Sequence, residues 1–383
     1  MPLRMASSMS MSKTPTVCVH SHPDGLSGVV CRDMDSVSQF ALGAAVGLAT
    51  MGKHTVPWKA ALLGGVVGTL PDLDALIDYG DAVSNMTMHR AESHSIFWQS
   101  VASPFIAAAV AGVDRAGSRF TERFAHWWVA VWLVLVTHAL LDATTVYGTQ
   151  LALPFSNHPF GLGSIFIIDP LYTLPLLLGI TVALLARGPG QLRWNRIGLA
   201  LSTVYLGWTV IAQVLVTGVV REQLAERGLR PERVLVTPAP FNTVLWRVIA
   251  MYQEGYDEGF YSLLDYGRDI RFDRFSRSAA LYAETAAMPA VARVAWFSKG
   301  FFRMREHDGR LTITDLRMGQ EPFYVFSFEV ARRASPLAEV EPTRVSSRDG
   351  MDSGQRFDWL GQLGRTSRWL WLRMLGEDLP PPR

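Results

Sequence analysis

Two long apolar stretches lie in the middle of the chain and read IFIIDPLYTLPLLLGITVALLA (residues 165–186) and IGLALSTVYLGWTVIAQVLVTG (residues 197–218). Each is long enough to cross a ~30 Å hydrocarbon core as a helix, which takes about 20 residues. Four shorter apolar stretches precede them, at roughly 37–50, 57–70, 96–113 and 126–142, and the first two are rich in Gly and Ala. Small residues let helices pack closely inside a membrane bundle. The sequence therefore predicts a mainly α membrane protein with about six apolar helices, some of them short, tilted or re-entrant.

The composition agrees with this prediction. Of the 383 residues, 49% are hydrophobic and 18% are charged, whereas soluble domains carry about 25% charged residues. The net charge is +2 and no basic block is present, which argues against a nucleic-acid partner. Both cysteines, Cys18 and Cys31, lie near the N-terminus, so the body of the chain has no disulfide framework or Cys-rich zinc site. The expected partners are the lipid bilayer and a small-molecule or lipid substrate. The sequence does not tell whether the protein has a protein partner.

Changes in character along the chain predict four parts. Residues 1–33 lack the apolar core of a signal peptide, and we expect a disordered or spurious extension with Met34 as the natural start. The cluster of His20, His22 and Asp24 in this extension is not expected to bind a metal. Residues 34–218 form the membrane domain, residues 219–340 a soluble α+β domain, and residues 341–383 a polar tail with no assigned chemistry.

The soluble domain is expected to contain a small antiparallel sheet with one or two helices. Alternating apolar residues predict strands, and Ala-rich or apolar spacing predicts helices. The predicted strands are 234–237, 243–252, 256–264, 311–316 and 323–328, and the predicted helices are 277–287 and 290–304.

Basic residues indicate the orientation. Most of the Lys and Arg between the apolar stretches fall in the connections 51–56, 114–125 and 187–196, whereas 71–95 and 143–164 together contain only Arg90. Short basic loops stay in the cytoplasm. We therefore predict a multi-pass protein of the cytoplasmic (inner) membrane, with the second set of loops and the C-terminal domain on the outer, periplasmic face.

Ionisable residues collect at the helix ends that this orientation places outside. Three pairs stand out, at the end of the second apolar stretch, before the third and at the end of the fourth: Asp72 and Asp74, His89 and His94, and His138 and Asp142. Ionisable groups beside membrane helices are costly and are therefore functional candidates. All six are candidate metal ligands.

The spacing of each pair suggests its geometry. His138 and Asp142 are four residues apart and share a helix face. Asp72 and Asp74 are two apart after a proline, and in an extended turn both carboxylates would point to one side. We expect His89 in a loop and His94 at a helix start. Ser93 or Ser95 is the expected N-cap of that helix.

Imidazoles and carboxylates without thiolates suit Zn²⁺, Mn²⁺ or Fe²⁺. We expect zinc, with manganese or iron as alternatives. A cation in such a site activates water and polarises an ester or phosphoryl oxygen. Asp74 is a ligand or general base, and Arg90 is either a phosphate clamp or part of a loop salt bridge.

Each of these residues also has an ordinary structural interpretation. The two aspartates could cap a turn, and His138 could be a packed core residue. Tyr147 is either a substrate contact or an interfacial aromatic, and we favour the membrane interface. Asp169 either supports the site or caps the fifth apolar helix.

At these residues the sequence resembles the bacterial and archaeal membrane-bound metal-dependent hydrolases of the YdjM/YbcI-like family. The resemblance covers about 34–218 and is carried by Met34–Gly43, Gly68–Asp74, His89–Ser95, His138–Thr149 and Ile168–Leu176. It implies a membrane-embedded hydrolase that is distantly similar to zinc-dependent phospholipase C, in which His and Asp from helices surround a metal cluster. Some members carry His where this chain has Gln39, which binds at best weakly or holds a water. Ser93 replaces a Thr of the family and can serve as the same cap.

Together the residues and the resemblance predict a metal-dependent hydrolase acting on an ester or phosphodiester of an amphiphilic or lipid-like substrate. One alternative is a transporter for a cation or solute, although transporter sites lie near the bilayer midplane between repeats. Another is a non-catalytic membrane scaffold that is braced by the metal.

Overall fold

The structure is a computed structural model that describes residues 26–114, 119–188, 190–334, 337–345 and 359–383, with side chains from residue 37 in the first helix and from residue 364 in the last. Residues 1–25 of the predicted extension, with the cluster of His20, His22 and Asp24, lie outside the described residues. So do residues 346–358 of the predicted tail.

The described residues of the N-terminal part of the chain form seven α-helices. They are α1 (Leu26–Met51), α2 (Pro57–Thr69), α3 (Ala82–Met88), α4 (Ile96–Val113), α5 (Phe120–Thr144), α6 (Pro170–Leu185) and α7 (Leu192–Glu226). Two 3₁₀ helices, Pro71–Leu76 and Glu92–His94, lie on either side of α3. Buried apolar residues of α1, α2, α4, α5 and α6 form one continuous core. This part is therefore a helix bundle, called here the membrane domain.

Three of the described helices, α4, α5 and α7, are long and apolar enough to cross a membrane, and two shorter apolar segments are Val37–Met51 of α1 and Pro170–Leu185. The predicted spanning length of residues 165–186 was wrong, because α6 has only 16 residues. The side chain of Asp169 accepts a hydrogen bond from the backbone of Leu171, and Pro170 occupies the first helical position. Both features start a helix at that point, so the apolar residues before Asp169 lie outside it.

Glycines bring α1 and α2 into close contact. A Cβ atom at Gly43 would lie 2.5 Å from the carbonyl oxygen of Gly64, and one at Gly64 would lie 2.5 Å from the carbonyl oxygen of Gly43. At Gly47 it would meet the carbonyl oxygen of Ala60 at 2.6 Å. Only residues without a side chain allow this approach. The contact holds α2, which leads into the 3₁₀ helix Pro71–Leu76, directly against α1.

The C-terminal domain contains two four-stranded antiparallel sheets where the sequence predicted one. The first has the strand order β1 (Arg233–Pro238), β2 (Leu245–Met251), β3 (Gly255–Ser262) and β4 (Phe272–Ser276). The second has β5 (Phe302–His307), β6 (Arg310–Gln320), β7 (Phe323–Arg332) and β8 (Ala338–Arg344). Helices α8 (Ala279–Thr285) and α9 (Pro289–Phe297) connect the sheets, and α10 (Trp359–Met374) follows them.

One predicted helix boundary in this region was wrong. The helix predicted at 290–304 ends at Phe297, and the residues after Phe301 form β5. The helix ends there because the next residues adopt positive φ angles, 55° at Lys299 and 81° at Gly300. Residue 219, the predicted start of the soluble domain, lies inside α7. At ~1.5 Å per residue, the 35 residues of α7 extend for about 50 Å. Val220 and Leu224 near its end pack against the first sheet.

The C-terminal domain packs on one end of the membrane domain. Val83 and Met86 of α3 and Tyr147, which follows α5, lie in the same apolar core as Val294 and Phe328 of the C-terminal domain. The guanidinium of Arg317 donates to the carbonyl oxygen of Tyr147 at 2.8 Å. The connections 71–95 and 143–164 are therefore held between the two domains.

Candidate metal centre

Four ionisable side chains meet at the end of the membrane domain that faces the C-terminal domain. Asp72 comes from the 3₁₀ helix Pro71–Leu76, His94 from the 3₁₀ helix Glu92–His94, and His138 and Asp142 from the last turns of α5. One ligand atom of each lies within 4.8 Å of those of the other three. We call Asp72, His94, His138 and Asp142 the four-residue group. The convergence of three separate helix ends, which the sequence predicted, is present in the structure.

The imidazole nitrogens and carboxylate oxygens of the group lie close to one another. The Nε2 atoms of His94 and His138 are 3.0 Å apart. Oδ2 of Asp142 lies 3.0 Å from Nε2 of His94 and 3.4 Å from that of His138. Oδ1 of Asp72 lies 3.4 Å and 3.5 Å from the same two nitrogens. Two nitrogens and two oxygens therefore surround one small volume.

The other ring nitrogens determine the state of these imidazoles. Nδ1 of His138 lies 2.7 Å from the carbonyl oxygen of Gly68, which can only accept, so this nitrogen carries the hydrogen. Nδ1 of His94 lies 2.8 Å from Oγ of Ser93, and Ser93 donates its own hydrogen to Asp74. In both neutral rings Nε2 is then a bare lone pair. Two such nitrogens at 3.0 Å, facing two carboxylates, repel each other unless a proton or a metal cation lies between them.

The oxygens of the group lead to the same conclusion. Neither oxygen of Asp72 accepts a hydrogen bond among the described residues, and neither does Oδ2 of Asp142, although all three atoms are buried. Buried polar atoms in proteins are nearly always hydrogen-bonded or bound to an ion. A divalent cation fits these unsatisfied atoms, and a set of two imidazoles and two carboxylates suits Zn²⁺, Mn²⁺ or Fe²⁺. The four-residue group could therefore bind a metal ion.

The negative charge around His94 changes its pKa. Burial by itself lowers the pKa of His94, but the carboxylates of Asp142 and Asp72 raise it well above its ordinary value. A site that attracts a proton this strongly in the absence of a cation also attracts a cation. The electrostatics therefore agree with the donor geometry.

Asp74 and His89 lie beside the four-residue group and are not part of it. Oδ1 of Asp74 lies 2.7 Å from Nδ1 of His89, and its Oδ2 accepts from the backbone N–H of Arg90 at 3.0 Å and from Oγ of Ser93 at 2.5 Å. Burial alone would raise the pKa of Asp74, but the hydrogen bonds with His89 and His94 lower it well below its ordinary value. The ligand and general-base roles expected for Asp74, and the ligand role expected for His89, stay predictions.

The extended turn predicted for Asp72 and Asp74 was wrong. Pro71 starts a 3₁₀ helix, in which residues three apart share a face. Asp74 shares its face with Pro71 and is buried against His89, whereas Asp72 points towards the two histidines of the four-residue group. The two carboxylates therefore serve different neighbours. His89 ends α3, and Ser95 caps α4 by accepting from the backbone N–H of Trp98, as the sequence predicted.

Arg90 occupies a strained position next to the group. Its φ angle is 64°, which is uncommon for a residue with a side chain. Its N–H is held by Asp74 and its carbonyl oxygen accepts from the backbone N–H of Gln150 at 2.9 Å. Nε lies 3.3 Å from Oδ2 of Asp142, and the guanidinium lies 5.2 Å from the centre of the Tyr147 ring. The buried guanidinium thus positions Asp142, and the phosphate clamp stays a prediction.

Gln39 and Tyr147 support the site without being part of it. Nε2 of Gln39 donates to Oδ1 of Asp142 at 2.8 Å, so the amide orients a candidate ligand from α1. The interfacial location favoured for Tyr147 was wrong. Its ring is buried between Arg90 and the C-terminal domain, and its hydroxyl donates to the carbonyl oxygen of Met86 at 2.5 Å.

Asp169 lies on the other side of Asp142. Besides capping α6, its Oδ2 accepts from the hydroxyl of Tyr205 at 2.8 Å. Burial raises the pKa of Asp169 above its ordinary value. Asp169 and Asp142 both line a small cleft, whose other walls include Ser38 and Tyr172. Capping is therefore the observed role of Asp169.

Several supporting residues could not have been found from the sequence. Arg293 donates to Oγ1 of Thr87 at 2.6 Å, and Gln150 donates through its side chain to the carbonyl oxygen of Thr87 at 2.9 Å. Arg317 holds the carbonyl oxygen of Tyr147 from a strand 170 residues away. Arginines of the C-terminal domain carry no local motif that indicates such contacts. The domain for which no chemistry was predicted therefore fixes both loops of the site.

Comparison with known proteins agrees with this architecture. Residues 34–216 match the model of the YdjM inner membrane protein family. We call this matched region the YdjM domain. The YdjM domain contains the whole four-residue group and ends within α7, so the two sheets lie outside it. Its family description and its three candidate spans identify a membrane protein in a lipid bilayer.

A curated relative resembles part of the chain. Uncharacterized protein YfhP of Bacillus subtilis (strain 168) is 26% identical over 167 residues, which cover 41% of this chain and 48% of YfhP. The chain therefore spans about half the length of this relative. No solved structure matches the chain. The distant similarity to zinc-dependent phospholipase C stays a prediction.

Proposed function

We propose that the protein is a membrane-bound, metal-dependent hydrolase that cleaves an ester or phosphodiester bond of an amphiphilic substrate. The observation that carries the proposal is the four-residue group, in which two imidazole nitrogens lie 3.0 Å apart among three buried carboxylate oxygens that accept no hydrogen bond from the described residues. A divalent cation held by Asp72, His94, His138 and Asp142 would lower the pKa of water and polarise the oxygen of the scissile group. Zinc is the expected ion, with manganese or iron as alternatives.

The exposure of the surrounding side chains assigns their roles in this reaction. Asp72 has 17% of its side chain exposed, against 1% or less for the other three members, so the substrate approaches from the side of Asp72. His89 is 25% exposed and its ring is oriented by Asp74. A carboxylate-oriented imidazole is a suitable acceptor for the proton of the attacking water. Because both oxygens of Asp74 already have partners, we propose His89 as the general base and Asp74 as its positioning residue.

Arg90 and Gln39 keep Asp142 in place during the reaction. The guanidinium of Arg90 contacts Oδ2 of Asp142 and the amide of Gln39 contacts Oδ1. Partners of this kind fix the orientation and basicity of a ligand. We place the site at the periplasmic face of the inner membrane, as the distribution of basic loops indicates.

The test combines metal analysis with hydrolysis. Full-length protein is purified in detergent without chelator, as wild type, as the double variant His138→Ala/Asp142→Asn and as His158→Ala. His158 is an exposed histidine outside the four-residue group and serves as the matched control. We expect bound zinc, manganese or iron in the wild type and in the control, and its loss in the double variant.

The same three proteins are then assayed with bis(p-nitrophenyl) phosphate, with a p-nitrophenyl ester and with phospholipid in mixed micelles. We expect hydrolysis of at least one of these by the wild type and the control. Metal without turnover of any of them contradicts the hydrolase and leaves the metal-braced scaffold. Uptake of the metal into proteoliposomes that depends on His138 would favour the transporter instead.

A further inference from the structure

The exposed edge of the 3₁₀ helix Pro71–Leu76 is unusually apolar. Residues of this helix separate into three faces, as the three-residue period requires. Pro71 and Asp74 are buried, Asp72 is half-buried, and Leu73 and Leu76 are 53% and 74% exposed. Two large leucines thus point away from the protein directly beside the most accessible member of the four-residue group. We call Leu73 and Leu76 the leucine edge.

The leucine edge continues an exposed apolar stripe on α2. Trp58, Leu62 and Val66 follow one another at four-residue intervals and are all exposed, so they lie along one face of the helix. The opposite face of α2 packs against α1 through its glycines. Because α2 shares its core with the membrane-crossing helices α4 and α5, its outer stripe faces the same surroundings as theirs. That surrounding is lipid, and the leucine edge begins seven residues after Val66, the last member of the stripe.

Aromatic residues place the level of the membrane surface close to the site. Phe97 and Trp98 are exposed at the beginning of α4, three and four residues after His94, and Phe155 packs against Phe97 with 5.5 Å between ring centres. Aromatic side chains gather where hydrocarbon meets headgroups. The four-residue group therefore lies at headgroup depth, with the leucine edge next to its accessible side.

We propose that the leucine edge is inserted into the bilayer and forms a lateral entrance, along which the acyl chain of a membrane lipid brings its headgroup to Asp72. Exposed apolar patches of this kind are rare on surfaces that face water. Acyl chains are the occupant consistent with a patch that is continuous with the lipid-facing surface of α2. The insertion does not depend on the proposed function, whereas the delivery of a scissile headgroup rests on it.

The insertion is tested with a spin label on the variant Leu76→Cys of the full chain, in which Cys18 and Cys31 are replaced by Ser. The labelled protein is reconstituted into vesicles of phosphatidylcholine and phosphatidylglycerol. Collisions of the label with oxygen, which dissolves in hydrocarbon, are compared with collisions with a water-soluble nickel chelate. Leu178→Cys on the exposed face of α6 is the lipid control, and Asp269→Cys beyond the end of α7 is the water control. Because the leucine edge lies near headgroup depth, we expect the ratio at residue 76 to lie well above that at residue 269 and towards that at residue 178.

Two results would overturn the insertion. A ratio equal to that at residue 269 would place the leucine edge in water. Protection from both reagents would mean that another protein surface, such as a second copy of this chain, covers it. Neither measurement requires bound metal or turnover, so a failure of the proposed hydrolase would leave this result intact.

The entrance itself is tested with the double variant Leu73→Ser/Leu76→Ser. Both leucines are exposed and neither belongs to the four-residue group, so metal content and hydrolysis of the soluble phosphodiester should equal those of the wild type. Hydrolysis of a long-chain phospholipid should fall, because the chain loses its apolar path to Asp72. Equal turnover of phospholipid by both proteins would contradict the lateral entrance.

Discussion

Replacing Gln39 by Leu should weaken metal binding without removing any member of the four-residue group. In the wild type, Nε2 of Gln39 donates to Oδ1 of Asp142 at 2.8 Å inside the core. The variant leaves that oxygen buried without this partner and lets the carboxylate rotate. A hydrogen bond to a charged group contributes about 1.5–3 kcal/mol. The loss of such an orienting partner typically lowers metal affinity about 10–100-fold, or about 1.4–2.7 kcal/mol, so the two estimates agree.

Asn195→Leu is a closely matched control. Asn195 is also a buried amide between helices, and its Nδ2 donates to the carbonyl oxygen of Ala45 at 2.9 Å. Both variants exchange a buried amide for an isobutyl group. Gln39→Leu loses the hydrogen bonds to Asp142 and, at 3.4 Å, to the carbonyl oxygen of His138 on α5, and Asn195→Leu loses the one to α1. Only Gln39 contacts a candidate ligand. Asn195→Leu should therefore lower thermal stability and leave the metal dissociation constant unchanged.

The measurement is a competition titration of chelator-stripped, detergent-solubilised protein with zinc and a fluorescent zinc chelator. Circular dichroism of each stripped variant shows that it is folded before the titration. A dissociation constant for Gln39→Leu within twofold of the wild type would refute the orienting role of Gln39. An equal loss of affinity in Asn195→Leu would refute it as well, because the effect would then follow from general destabilisation.

Three further changes test the packing around the site. Gly64→Ala should lower both the thermal midpoint and the metal content, because the new Cβ would lie 2.5 Å from the carbonyl oxygen of Gly43. Its control is Gly112→Ala, which has open space around it and should be neutral or stabilise the protein by up to about 1 kcal/mol. Arg317→Met should weaken zinc binding in the same titration, since it releases a backbone carbonyl of the site loop; unchanged affinity would disconnect the C-terminal domain from the site. Burial lowers the pKa of Lys299 to about 8, so the unfolded chain binds its proton more tightly and thermal stability relative to Lys299→Met should rise between pH 8 and 10.5. A flat difference across that range would contradict this.

The membrane domain was largely predictable because its signals are local. Runs of apolar residues, the four-residue spacing of His138 and Asp142, and Ser95 as an N-cap all act within a few residues along the chain. The convergence of the helix ends followed from simple alternation of the helices. The conformation predicted after Pro71 was wrong. Proline at the first position is compatible with both an extended turn and a 3₁₀ helix. The choice between them depended on how α2 packs on α1.

The supporting contacts were not predictable because they join distant parts of the chain. Nothing near Arg317 or Arg293 indicates that their partners are carbonyl and hydroxyl groups of the site loops. Tyr147 illustrates the same limit. Its position after a membrane helix favours the interface, but the C-terminal domain covers it and buries its ring. Burial by another domain overrides the local preference of an aromatic residue for the membrane surface.

The two domains therefore contribute to the site in different ways. The YdjM domain supplies every member of the four-residue group from elements that its own sequence determines, and glycine contacts between α1 and α2 set the position of Asp72. The C-terminal domain supplies no member of that group, but it clamps α3 and Tyr147, between which Arg90 is held in its left-handed conformation. A clamp on that side leaves the leucine edge as the uncovered approach to Asp72. Substrates that partition into the membrane would then reach the site more readily than water-soluble ones, as a lateral entrance requires.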